Sequence, residues 1–238
     1  MEVEQSFGIV GVFDALGVKN FDDDQIRSFV ELQDDLRQVV DAKASDQSAA
    51  RGIFLPKLFT FNDTIIVALE AKDEEIYEAI KGFATIVRRL VSFCLSRAVF
   101  LRGAFSIGKY IASDRHNLIM GKAVTDAATW YEKPELIGAI ATPKASIVIR
   151  KHVSSDIGAK QPDFLLFEAE IPCKGGPQRL YAVNWPKACY VRSLRPSGCL
   201  EGKELAWLLG LLGAYEIPFG VEHKYRNTIE FFEKAPRD

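Results

Sequence analysis

The chain has 238 residues, with 30 Lys and Arg against 32 Asp and Glu, for a net charge of −2. Such a length buries a full hydrophobic core without metals or disulfides as staples, which suits one α+β or α/β domain. A broad grip on DNA or RNA needs clustered basic residues in clear excess, so nucleic acid is excluded as the default partner.

The amino terminus, MEVEQSFGIVGVFDALG, carries glutamates where a secretory signal would carry its basic region, so a cytoplasmic location is expected. The most apolar late segment, residues 206–215, is about half the roughly 20 residues that cross a bilayer, and no membrane association is expected. Cys94, Cys173, Cys189 and Cys199 lack CxxC spacing, and His116, His152 and His223 are scattered. Reduced structural thiols therefore outweigh a zinc site or a disulfide framework.

In chain order, residues 7–13 are an apolar, β-rich run with the look of a strand buried on both faces, ending at Asp14. From Phe21 to about Lys43, apolar residues recur every three to four positions, which predicts an amphipathic helix opened by Asp22, Asp23 and Asp24. Two apolar runs follow, GIFLPKLFTF and TIIVALE, separated by the turn-forming Asn62-Asp63, and predict a hairpin with Asp63 at its tip. Residues 73–97 have helical spacing, VFLRGAFSIGKYIA reads as a strand, and GKAVTDAATWYEK as a helix stopped by Pro134. AIATPKASIVI adds a short strand and a helix start, and a second hairpin turns at Lys174-Gly175-Gly176-Pro177. A helix over 201–215 precedes a polar tail. The order predicts an α+β fold of ferredoxin-like or palm type, a mostly antiparallel central sheet flanked by helices. One domain spans 1–238, with an extension from about residue 190.

Asp14 and Asp63 fall at the ends of neighbouring strands, where two carboxylates can converge although 49 positions separate them (63 − 14). Mg²⁺ favours such sparse carboxylate sites and completes its shell with water and phosphate oxygens. Each aspartate alone also fits a turn or capping role. The run Ala15-Leu16-Gly17 into a helix would place free amides beside the acids, a setting that binds phosphate.

At these residues the chain resembles the catalytic domain of class III nucleotide cyclases, over roughly residues 7–190. VFDALGVKN is similar to the segment around that family's first metal aspartate, and FTFNDTIIVAL to the hairpin bearing the second. RGAFSIG resembles its RxGxxxG strand with Arg102 and Gly108 aligned, GKAVTDAATW its glycine-led helix, and CKGGPQRLYAVNW its KGKG turn. The resemblance implies two Mg²⁺ or Mn²⁺ ions held by Asp14, Asp63 and the Ala15 carbonyl. It also implies phosphate contacts from Arg102, Lys174 and the amides of Leu16 and Gly17, and a homodimer in which the metal acids face Thr125 and Lys174 of the second copy.

Two departures stand out. Thr125 and Thr129 occupy the family's asparagine and arginine positions, and threonine cannot make a charged bidentate phosphate contact, so Lys122, Arg102 or a basic residue of the second subunit would have to substitute. Phe59 and Leu118 occupy the purine-selecting positions and would pack a base without reading a purine edge; both also fit a plain core role. A lone cyclase domain with these features is similar to the pyrimidine cyclases of bacterial Pycsar antiphage defence, which implies UTP, or CTP, as substrate and a separate effector as reader of the cyclic product. Rival readings are a purine cyclase, a diguanylate cyclase or polymerase-type transferase on a related palm-like fold, against which the FNDT hairpin in place of a GGDEF-like turn counts, and an inactive homologue acting as nucleotide sensor or dimerisation module.

Overall fold

A long strand, β1 (Gln5–Leu16), occupies the middle of the sheet. The computed structural model describes residues 5–16, 56–113, 116–155, 165–214 and 220–237, together with eight residues between 23 and 35, all helical: Asp23, Ile26, Arg27, Phe29, Val30, Glu31, Asp34 and Asp35. The rest of the helix expected over 21–43, and Gly17, lie outside the described residues.

After β1 come the hairpin strands β2 (Pro56–Phe61) and β3 (Thr64–Glu70), a 3₁₀ turn at Asp73–Glu75, and helix α1 (Ile76–Leu95). Next are β4 (Phe100–Ser113), the short β5 (Leu118–Met120), α2 (Lys122–Trp130), β6 (Gly138–Ala141) and α3 (Pro143–Ser155). The chain continues through β7 (Leu166–Ile171), β8 (Gln178–Val183), α4 (Lys187–Tyr190), α5 (Glu204–Gly213) and α6 (Glu222–Lys234). The strands lie in the order β2-β3-β1-β4-β6-β8-β7, with β5 alongside β4. Among the described residues, only the β4–β6 pairing is parallel. The antiparallel run β2-β3-β1-β4 is the split βαβ arrangement that the sequence predicts.

Both faces of β1 are covered, which explains its unbroken apolar character. On one face Ile9 and Phe13 join Ile65, Val67 and Leu69 of β3 beneath Ile76, Ala79, Ile80, Phe83, Val87 and Val91 of α1, the three-to-four spacing of a helix face. On the other, Val10, Val12, Phe59, Ile66, Ala68 and Tyr110 pack under Ala123 and Ala127 of α2, whose small side chains let the helix lie close. Gly103 is required by the β1–β4 approach: a Cβ there would stand 2.4 Å from the Val12 carbonyl oxygen.

Two boundaries differ from expectation. β1 continues past Asp14, because Ala15 and Leu16 still pair with Leu101 and Phe100 of β4. Leu16 is therefore a strand residue, not a free amide at a helix start. The supposed polar tail contains α6, whose Thr228, Phe231 and Phe232 are buried; the Trp185 ring packs 5.7 Å from that of Phe232. The main core cluster thus includes residues from Ile9 to Phe232. Among the described residues no helix is long and apolar enough to cross a membrane.

Candidate functional site

Side chains alternate along a strand, so Asp14 projects to the same face as Val10 and Val12, the face that carries α2. Directly across, in register with Asp14, is Arg102 of β4. Its Nη2 donates to Asp14 Oδ2 at 3.2 Å and its Nη1 to the Glu132 carbonyl oxygen at 3.2 Å. Both side chains are largely shielded, at 9% exposure for Arg102 and 17% for Asp14. Among the described residues, the buried Arg102 Nε has no hydrogen-bond partner.

The β2–β3 turn brings Asp63 to the same place. Asn62 adopts φ 54°, a left-handed conformation that asparagine tolerates, and the tight turn allows Ala15 N–H to donate to the Asp63 carbonyl oxygen at 3.2 Å. Burial holds the Asp14 carboxyl above its ordinary value; the Arg102 hydrogen bond and charge oppose this, and the negative charges of Asp63 and Glu132 reinforce it. The two predicted acids are therefore brought together.

Glu132, just beyond α2, was not singled out from sequence. It accepts a hydrogen bond from Tyr131 Oη at 3.0 Å, and Lys174 Nζ lies 3.6 Å from its Oε2. These contacts hold the Glu132 carboxyl below its ordinary value, the Tyr131 bond first. Burial and then the Glu132 contact push the Tyr131 phenol up to about 12. Lys174, expected to face a second copy, thus pairs within its own chain. It also lines a cavity of about 720 Å³ with Glu135, Cys173, His223 and Asn227, a cavity whose lining does not include Asp14 or Asp63.

Thr125 lies exposed on α2 and its carbonyl accepts from Thr129 Oγ1 at 2.8 Å. The helix is fixed in rotation by Asp126, whose Oδ2 accepts from Ser106 Oγ at 2.6 Å and Thr142 Oγ1 at 2.7 Å. Lys122, Thr125 and Thr129 consequently form one outward stripe. The two residues assigned to a base pocket separate. Phe59 is 1% exposed within the core cluster under α2, so its ring lines no open pocket, whereas Leu118 on β5 is 38% exposed.

No family model matches the sequence, and no curated protein matches it. Among solved structures, the chain is similar to the catalytic core of a rhodopsin-guanylyl cyclase with converted specificity in complex with ATPαS, at 12% identity over 77% of this chain and 98% of that one, TM-score 0.46. It is similar also to the guanylyl cyclase Cya2, at 9% identity over 77% and 93%, TM-score 0.43. A bacterial light-regulated adenylyl cyclase matches at 14% identity over 77% of this chain and 54% of that one, TM-score 0.42. No residue role is carried over from likenesses at this level.

Among the described residues there is no group of three or more His, Cys, Asp or Glu side chains that could hold a metal. What the strands offer is a pair of hard carboxylates, of which Asp14 retains a raised pKa despite its arginine. Such an under-compensated negative pair fits a divalent cation that fills its remaining positions with backbone carbonyl, water and phosphate oxygens.

Proposed function

We propose that this chain is a nucleotidyl cyclase converting UTP to 3′,5′-cyclic UMP and pyrophosphate, a second messenger read by a separate effector in bacterial antiphage defence. The observation that carries the reading is the meeting of Asp14, Asp63 and Arg102, with the Ala15–Asp63 backbone bond clamping strand end to hairpin tip. Two Mg²⁺ or Mn²⁺ ions, bound by Asp14, Asp63 and the Ala15 carbonyl, would neutralise the triphosphate and acidify the ribose 3′-hydroxyl.

The chain's own residues do the rest. Through the cations they would hold, Asp14 and Asp63 would set where the α-phosphorus sits, so that the 3′-oxygen, its proton passed to water, forms its new P–O bond in line as the bond to pyrophosphate breaks. Arg102 can turn part of its guanidinium from Asp14 to a phosphate oxygen. Lys174 faces the same region from the β7–β8 turn. As a homodimer, a second copy would lay the Lys122–Thr125–Thr129 stripe of its α2 against these groups, giving two equivalent composite sites. The choice of a pyrimidine rests on the sequence resemblance alone, since Phe59 is buried in the core and can touch no base.

Incubating the purified chain with Mn²⁺ and each of the four ribonucleoside triphosphates, with products identified by mass spectrometry, tests the reading. Cyclic UMP is expected; cyclic CMP or a cyclic purine would move the substrate, and a linear dinucleotide would replace the reaction. A nucleotide sensor without turnover is the second reading, favoured by the Asp14–Arg102 ion pair that already engages one acid; retained binding with no product would support it.

A further inference from the structure

Helix α6 is docked by four contacts along its first half. The ring of Tyr225 meets that of Phe100 edge-on at 6.2 Å, two residues before Arg102 on β4. His223 pairs with the Glu135 carboxylate, Asn227 Nδ2 donates to the Glu135 carbonyl oxygen at 2.9 Å, and Ile137 N–H donates to Thr228 Oγ1 at 2.9 Å. Phe100 is itself opposite Leu16, at the end of the strand that carries Asp14. The first turn of α6 is thereby pinned beside the Asp14–Arg102 pair, and the residue it carries there is Lys224.

Lys224 has an unusual setting. Among the described residues it makes no ion pair and no side-chain hydrogen bond, although it is half-buried. The charges that act on it are those of Arg102, Lys174, Asp14 and Glu135. Burial first, then the Arg102 guanidinium, push its ammonium below its ordinary value, with Lys174 adding to the effect and Glu135 and Asp14 opposing it. Arg102 of β4, Lys174 of the β7–β8 turn and Lys224 of α6 thus act on one another near Asp14 and Glu135. Like charges gathered in a partly desolvated place repel one another, and an arriving polyanion reverses that cost.

We propose that Lys224 is a third cation of the phosphate site, binding with Arg102 and Lys174 the β- and γ-phosphate oxygens of a nucleoside triphosphate. This rests on the nucleotide reading of the Asp14–Asp63 site, and it gives the carboxyl-terminal helix a part in substrate binding. Lys224 supplies donors that strengthen as negative charge collects on the leaving pyrophosphate.

The test is calorimetric titration of the full-length chain with inorganic tripolyphosphate in EDTA-treated, metal-free buffer, alongside Mn²⁺-dependent turnover of UTP. Lys224→Met is expected to weaken tripolyphosphate binding about 10-fold, the worth of one charge-assisted contact, and Lys224→Arg to restore most of it. Lys151→Met, exposed on α3, which packs into the core on the α1 side of the sheet, is expected to bind as wild type. Unchanged binding in Lys224→Met, or wild-type chain that does not bind tripolyphosphate, overturns the proposal. Should Lys224→Met fail to fold by circular dichroism, Lys224→Gln is judged by the same criterion. Lys224-dependent tripolyphosphate binding in a chain that makes no cyclic nucleotide would uphold the phosphate site and sink the cyclase reading. Cyclase activity untouched by Lys224→Met, with binding also untouched, would do the reverse.

Discussion

Asp14 and Arg102 stand directly opposite one another on β1 and β4, and their side chains close an ion pair at 3.2 Å with both groups largely shielded from water. The pair is unequal. Arg102 holds a second partner in the Glu132 carbonyl, whereas Asp14 is pressed by burial and by the charges of Asp63 and Glu132. Arg102→Met leaves a shielded carboxylate uncompensated and is expected to cost about 3 kcal/mol, read as a lower urea midpoint.

Asp14→Asn is expected to behave in the opposite way. With the native pKa raised, the folded chain keeps the Asp14 proton to higher pH than the unfolded chain does. Stability therefore falls as pH rises from about 3.8 through the raised native value. The variant lacks this fall, so its urea midpoint at pH 7 should equal or exceed that of wild type, and the difference should shrink toward pH 3. A midpoint well below wild type at pH 7 would show that the charged Asp14 stabilises the fold instead. Turnover in the same variant is expected to vanish.

If the Asp14–Asp63 pair takes divalent cations, Mn²⁺ at about 100 times its dissociation constant should stabilise the chain by about 2.7 kcal/mol. For a chain of this length that is a rise of about 5–10 °C in Tm. Asp63→Asn and Asp14→Asn should each abolish the rise without lowering the metal-free Tm by a comparable amount. A wild-type melting curve indifferent to Mn²⁺ would remove the carboxylate pair as a metal site.

Asp126 binds together β4, α2 and the start of α3 through two hydroxyl donors that are themselves fully buried. Asp126→Ala leaves Ser106 and Thr142 without their acceptor and is expected to cost about 3 kcal/mol. Asp126→Asn retains one acceptor and should cost about 1 kcal/mol. Chemical denaturation of both variants checks the ordering; equal, small losses would mean that α2 is held by Ala123 and Ala127 alone.

The hairpin at Asn62-Asp63 was legible because the turn chemistry is local: one left-handed residue between two apolar runs. The end of β1 was not, because a charged residue reads as a stop, while pairing with the long β4 carries the strand two residues farther. Asp14 is thus a strand residue aimed from the sheet rather than a loop ligand. Helix α6 was lost for a related reason. Its buried stripe is only Thr228, Phe231 and Phe232 in a segment otherwise crowded with charge, although the i, i+3, i+4 spacing was there to be read. With α6 went Lys224. Glu132 and Lys174 come together through the docking of the β7–β8 turn against the end of α2, where Lys174 N–H donates to the Lys133 carbonyl at 2.8 Å, a tertiary contact that no local pattern encodes.

That contact makes Glu132 a competitor for any anion that Lys174 would bind. Its carboxylate sits 3.6 Å from the ammonium in an exposed pair, and its backbone carbonyl, which a side-chain change leaves in place, still holds Arg102. Glu132→Gln removes the negative charge yet keeps an oxygen for Tyr131 Oη. Exposed pairs contribute up to about 1 kcal/mol, so tripolyphosphate binding should tighten by about 2- to 5-fold, more at low salt than at high. Because the Glu132 carboxyl lies below its ordinary value, it competes throughout the neutral range, and the gain should be flat between pH 6 and pH 8. Weaker binding in Glu132→Gln would instead mean that the acid orients Lys174 toward the phosphates and that the pair works as a unit.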